Sequence, residues 1–260
     1  MIFTGERDSA RRQVCLIQFG VQPYAPMQAL QNELVRWRQR GLVGDTLLLL
    51  EHSPVITLGR RADPAHILAS SRVLEREGIE VHQSERGGEV TYHGPGQLVG
   101  YPILHLPSYR IGPSDYMHRL EEVILRTLAD YGLVARRRER MIGLWVADAK
   151  IAALGVRIKR GVTLHGFALN VSPNMAHWSF ITPCGITDEG VTSMTLQLQR
   201  TPPMREVRER VAGHFESLFD VELVPSTLRE LQEQVSRRIV PGDQEGIDHH
   251  TDLVQRSQTP

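Results

Sequence analysis

Three short stretches of the chain combine residue types that ordinary packing does not call for. The first is Arg86-Gly87-Gly88-Glu89-Val90-Thr91-Tyr92-His93-Gly94-Pro95-Gly96-Gln97. Its glycines leave bare backbone beside an arginine, a tyrosine and a histidine, so a long, thin ligand could lie against the main chain. The same composition also suits a pair of tight turns between strands. The second is Asp148-Ala149-Lys150-Ile151-Ala152-Ala153-Leu154-Gly155-Val156. The chain uses arginine for all but two of its 30 basic residues, and Lys150 is one of the exceptions, with Lys159. Lysine shifts its pKa readily when desolvated and arginine does not, although Lys150 alone reads as a strand-start lysine reaching solvent. The third is Thr182-Pro183-Cys184-Gly185-Ile186, where proline and glycine fix a tight turn that would present Cys184 as a nucleophile. A buried, inert cysteine fits that local context as well. Together the stretches would supply a nucleophile, a base or thiolate partner, and a slot for a slender substrate.

Two familiar nucleotide-binding patterns are missing. The glycine-rich stretch does not continue into Gly-Lys-Ser/Thr, and there is no dinucleotide fingerprint. Cys15 lies in an alternating, strand-like run and reads as a small buried hydrophobe. Neither cysteine has zinc-type spacing. Arg136, Arg137, Arg138 and Arg140 form a basic cluster that reads first as a solvated face and second as a dock for an acidic partner. His249 and His250 stand in a polar tail as incidental residues.

Hydrophobic periodicity supplies the elements that must position these residues. Residues 1–12 read as a flexible arm and Val14 to Phe19 as a strand. Met27, Leu30, Leu34 and Trp37 fall at helical spacing. Thr46 to Leu50 and Val55 to Leu58 read as strands flanking a turn at Glu51-His52-Ser53-Pro54, and Val73 to Glu77 as a short helix closed by Gly78. Ser84 to Leu106 alternates like strand. Tyr116, Leu120, Val123, Ile124, Leu128 and Tyr131 mark an amphipathic helix, and Leu144 to Val146, Ile151 to Ile158 and Thr163 to Val171 three further strands. Val207, Val211, Phe215, Leu218 and Phe219 stripe a late helix, Thr227 to Arg237 adds another, and the last quarter reads as a small helical appendage. Residues 241–260 are polar and aperiodic, the composition of a disordered tail. Strands and helices interleave without a regular βαβ rhythm. The expected fold class is therefore α/β (α+β), a mixed sheet packed by helices, with one catalytic domain over residues 13–240.

The totals bound the function. The 260 residues are 41% hydrophobic, enough to bury a core without metal or disulfide staples. Thirty basic and thirty acidic side chains give zero formal net charge, which argues against non-specific nucleic-acid binding. The longest purely aliphatic run, Leu47 to Leu50, is far short of the roughly 20 residues of a membrane span. The first residues are too charged, and the run Val14 to Ile17 too short, for a signal peptide. A soluble cytoplasmic protein with free thiols is expected.

Three longer blocks, ERGGEVTYHGPGQLVGYPILHL, KIAALGVRIKRGVTLHGFALNV and FITPCGITDEGVTSM, closely resemble the lipoate-biosynthesis octanoyltransferases, in that family's order and over roughly residues 14–224. The resemblance implies a biotin/lipoate protein ligase-like fold and a catalytic cysteine–lysine dyad, which falls on Cys184 and Lys150. It places acyl-binding segments on Arg86, Gly87, Gly88, Glu89, Val90, Thr91, Tyr92 and His93, on Ala153, Leu154 and Gly155, and on Gly166, Phe167 and Ala168. It implies octanoyl acyl carrier protein as donor. The implied acceptors are lysines of lipoyl domains in 2-oxoacid dehydrogenase complexes and of the glycine cleavage H protein. No cofactor, metal, nucleic acid or membrane is implied. The nearest rival is an ATP-dependent lipoate or biotin ligase of the same fold, which adenylates a free acid and needs no cysteine. A non-catalytic module that sequesters acyl carrier or lipoyl domains is a second.

Overall fold

The structure, a computed structural model, describes residues 11–139, 141–182 and 190–239. Cys184, Arg140, the first ten residues and the tail with His249 and His250 lie outside them. In chain order the elements are β1 (Arg12–Gln22), α1 (Tyr24–Gln39), β2 (Asp45–His52), β3 (Val55–Leu58), α2 (Ser71–Arg76), β4 (Glu80–Gln83), β5 (Val90–His93), β6 (Gln97–Ile103), α3 (Leu106–Tyr109), α4 (Pro113–Ala129), β7 (Ala135–Arg138), β8 (Met141–Val146), β9 (Ala149–Lys159), β10 (Val162–Asn170), α5 (Met194–Leu198), α6 (Met204–Phe219), β11 (Val221–Pro225) and α7 (Leu228–Arg238). Two 3₁₀ turns, Pro64–His66 and Met175–Phe180, complete them.

An eight-stranded mixed sheet runs in the order β11-β1-β2-β6-β10-β9-β8-β7, and a three-stranded sheet in the order β4-β3-β5. Helices cover both faces of the large sheet. On one face α4 contributes Leu120, Val123, Ile124 and Leu128, and α6 contributes Val207, Val211, Phe215 and Phe219, to a common core. On the other, Met27, Leu30, Leu34 and Trp37 of α1 meet Leu228, Leu231 and Val235 of α7. Each fully buried aliphatic side chain of this kind contributes roughly 1.5–3 kcal/mol, so the helical stripes hold both faces closed. The appendage expected of the last quarter is not formed. Its helices are integral to these two cores, and β11 lies parallel to β1. β1 likewise starts at Arg12, inside the segment read as a flexible arm.

The expected strands at Thr46–Leu50 and Val55–Leu58 form, but not as a hairpin. β2 pairs with β1 and β6, whereas β3 pairs with β4 and β5. Pro54, which has no backbone N–H, stands at the point where the chain leaves one sheet for the other. Among the described residues no helix is long and apolar enough to cross a membrane.

Candidate active site

The glycine-rich loop is built around a buried arginine. Arg86 is 9% exposed and turns its guanidinium into its own loop. Nη2 donates to Thr57 O (2.7 Å), Thr57 Oγ1 (2.9 Å) and Glu89 O (2.6 Å), and Nη1 to Gly87 O (3.1 Å). The amides of Gly59, Arg60 and Arg61 donate to the carbonyls of Glu89, Arg86 and Gly88, fastening the loop to the end of β3. Gly87 N then donates to Val156 O (3.1 Å), which lays the loop across β9. A side chain at Gly155 would forbid this contact, since its β-carbon would fall 2.9 Å from Gly87 O.

Where the loop crosses the large sheet, a cavity of about 330 Å³ opens. That is at the lower end of the roughly 300–1,000 Å³ usual for small-molecule sites. One side is a floor of small residues. The antiparallel register sets Ala153 opposite Ala168 and Gly155 opposite Gly166, and directly opposed residues share a face. Leu154 and Phe167, the pair between them, belong to the core on the other face, so they border the cavity through their backbone.

The buried end of the cavity is walled by Tyr24, Tyr101, His93 and His165. Their polar atoms are mostly tied up elsewhere. Tyr24 Oη donates to Ser84 Oγ (2.8 Å). His52 Nδ1 meets the carbonyl of Gln22 (2.9 Å), an obligate acceptor, so His52 carries its proton there and accepts from Tyr101 Oη at Nε2 (2.7 Å). Gln97 donates through Nε2 to Tyr92 O and Asn170 Oδ1, which turns its Oε1 to accept from His93 Nδ1 at 2.6 Å. Asn170 Nδ2 donates to Thr192 O, and Thr192 N to the Lys150 carbonyl, so one polar chain joins the wall to the backbone of Lys150. Burial lowers the histidine pKa values, to about 4 for His52 and about 3 for His93 and His165. At neutral pH all three are uncharged, and Tyr24 and Tyr101, raised by burial, stay protonated. A neutral, ring-lined wall of this kind suits a hydrocarbon.

At the opposite end stand Lys150, Trp145, Met141, Ile142, Glu89, Arg61 and Trp178. Lys150 Nζ sits 5.2 Å from the Trp145 ring centroid, a cation–π contact with its register partner. Gly143 makes room for it, since a β-carbon there would fall 2.5 Å from Lys150 Cε. Lys150 N donates to Gly190 O (2.8 Å), and Thr182 N to His66 O (2.8 Å), so the residues flanking 183–189 are both anchored near this end. Cys184 itself lies outside the described residues.

Of the expected site residues, Arg86, Gly88, Glu89, Val90, Thr91, His93, Lys150, Ala153, Leu154, Gly155, Gly166, Phe167 and Ala168 border one cavity. Gly87 and Tyr92 do not. Gly87 docks on β9, and Tyr92 packs in the core of the small sheet with its hydroxyl 2.7 Å from His177 Nδ1. Sequence reasoning missed Tyr24, Tyr101, His165, Trp145 and Trp178. His165 stands next to Gly166 with φ +60°, a left-handed conformation uncommon for residues other than glycine. Of the basic cluster, Arg136 and Arg138 pair with Asp148, and Arg137 with Glu121 and Glu122. Among the described residues no group of three or more His, Cys, Asp or Glu side chains is placed to hold a metal ion.

Comparison with known proteins adds the family. The lipoyl protein ligase A/B catalytic domain model matches residues 23–216. An octanoyltransferase of Solibacter usitatus is 47% identical over 214 residues, covering 82% of this chain and 96% of the relative. One from Chloroflexus aggregans is 45% identical over 216 residues, covering 82% and 98%. Among solved structures, lipoate-protein ligase A bound with ATP superposes with a TM-score of 0.69 at 18% identity, covering 87% of this chain and 93% of that one. The last likeness is one of fold.

Proposed function

The chain belongs to the octanoyltransferase family, built on the lipoyl protein ligase A/B catalytic domain, and from that premise we propose that it moves an octanoyl group from acyl carrier protein to a lipoyl-domain lysine through a thioester on Cys184. The observation that carries this reading is the cavity itself: a neutral, ring-walled end and small-residue floor for an acyl chain, with Lys150 at the other end. Residues 13–240 act as the catalytic unit.

The Cys184 thiolate attacks the donor's thioester carbonyl, and the carrier's sulfur leaves and takes a proton. One thioester replaces another, so the step is nearly isoenergetic and no nucleotide is needed. The acceptor amine then attacks the acyl-enzyme, the C–S bond breaks, and the amide forms downhill. Lys150 as ammonium would stabilise the thiolate, and as amine would collect a proton during aminolysis. Cys15 is a poor competitor, because burial, with Glu230 and Asp45 nearby, raises its pKa and keeps it a thiol.

Intact-mass measurement after incubation with octanoyl carrier protein tests the reading. A single octanoyl adduct that maps to Cys184 and is discharged by a lipoyl domain is expected. An adduct on Cys15, an active Cys184→Ala protein, or ATP consumption with free octanoate would overturn it.

A further inference from the structure

The cavity wall carries ionisable charge at Arg61, Arg86, Lys150 and Glu89, so Glu89 is its one carboxylate among the described residues. Its backbone is fixed, with the carbonyl accepting from Arg86 Nη2 and Gly59 N. Its side chain is not satisfied. Oε2 is sealed from solvent without a hydrogen-bond partner, and so is Nδ1 of His66, 3.7 Å away. That separation is too long for a hydrogen bond. At this distance the two form an ion pair only when His66 is protonated, and 28% of the Glu89 side chain remains exposed. Unsatisfied buried groups are few in native proteins and call for an explanation. A half-dry carboxylate is best relieved by a cation that arrives from outside.

The reaction proposed above supplies one. The acceptor lysine enters as an ammonium, and among the described residues Glu89 is the cavity's one side chain of opposite charge. We propose that Glu89, backed by His66, is the receiving site for the acceptor's ammonium. This inference rests on the transfer reading. Glu89 positions the nucleophile and does not deprotonate it. Carboxylates are far weaker bases than amines, so the proton must leave the ammonium by another route. The pairing should therefore act on acceptor affinity.

The test uses Glu89→Gln, which keeps shape and removes charge, with Glu89→Asp as the conservative variant. Each pre-formed acyl-enzyme is discharged either by a lipoyl domain or by hydroxylamine, which is uncharged at neutral pH. Normalised to the hydroxylamine rate of the same protein, kcat/KM for the lipoyl domain should fall about fivefold in Glu89→Gln, the worth of one partly exposed ion pair. The loss should appear in KM rather than kcat, shrink at high salt, and be partly recovered in Glu89→Asp. A lipoyl-domain KM and salt dependence like the wild type's in Glu89→Gln, or equal losses with both nucleophiles, overturn this inference and leave the transfer reading standing. A wild-type protein that forms no acyl-enzyme overturns both.

Discussion

At the buried end of the cavity, Tyr24, Tyr101, His93 and His165 are at most 7% exposed, and their rings form a neutral wall. At the other end, Lys150, Glu89 and Arg61 bring charge to half-buried or exposed positions beside Trp145 and Trp178. Both ends use groups that can ionise. The difference lies in solvation, since burial holds His93 and His165 neutral whereas Lys150, Glu89 and Arg61 stand at half-buried or exposed positions. One end therefore suits an uncharged chain and the other polar or charged groups.

The sharpest way to break that division is at Lys150. Lys150→Met should lower octanoyl transfer by about 10²–10⁴-fold, the usual worth of a positioned acid–base group, with little change in thermal stability. Lys150→Arg keeps charge but cannot accept a proton. If thiolate stabilisation is the main role, the Arg variant forms the acyl-enzyme and turns over. If proton collection is, it forms the acyl-enzyme and stalls at aminolysis. Single-turnover mass spectrometry reads both steps, and normal turnover in Met and Arg variants alike would remove Lys150 from the mechanism.

A smaller effect is expected on the floor. Ala153→Leu places a branched side chain where Ala153 and Ala168 face each other. Octanoyl transfer should fall about 10–200-fold, the range for a misfit of one methylene or so, while shorter acyl donors lose less. Chain-length profiles of kcat/KM check this. A uniform loss for all donors would mean that the floor does not touch the chain.

What the sequence made legible follows from composition. Stretches crowded with glycine, or carrying a lone lysine, stand out because packing does not demand them. Tyr24 and Tyr101 escaped notice because an aromatic in an amphipathic helix or an apolar strand is the ordinary signature of core, and these two serve both core and wall. Arg86 was legible as a site residue but not in its role, since nothing local shows that its guanidinium folds back on Thr57 and Glu89. β4, β7 and β11 are short strands at sheet edges with few buried positions, so they carry no clear alternation. The assignment of β2 and β3 to separate sheets depends on partners distant in sequence, which periodicity does not report.

The neutral wall should also appear as a pH dependence of stability. The folded-state pKa values of about 4, 3 and 3 for His52, His93 and His165 lie below the ordinary 6.5. Above pH 6.5 both folded and unfolded histidines are neutral and nothing changes. Below it the unfolded chain takes up protons that the folded one refuses, costing the fold about 1.4 kcal/mol per pH unit for each histidine. Urea midpoints should therefore fall from pH 6.5 towards 5.5, a window in which ordinary carboxylates stay mostly ionised. His165→Asn, which tolerates the positive φ, should flatten that slope. An unchanged slope would mean that His165 titrates normally in the fold.

The smallest effect is predicted at the basic cluster, where charge is present but committed. Arg136 and Asp148 form a 3.2 Å pair with side chains 61% and 89% exposed, and Arg138 reaches the same carboxylate while lying over the Trp145 ring. Exposed pairs of this kind contribute about 0–1 kcal/mol. Arg136→Gln should leave melting nearly unchanged and the KM for octanoyl carrier protein within about twofold, because the group removed was already balanced by Asp148. A docking surface would behave differently. Removing one of its charges would slow association with an acidic carrier and weaken the salt dependence of the rate. Donor KM measured at two ionic strengths separates the outcomes, and a several-fold rise confined to low salt would make β7, rather than the charged end of the cavity, the place where the donor first lands.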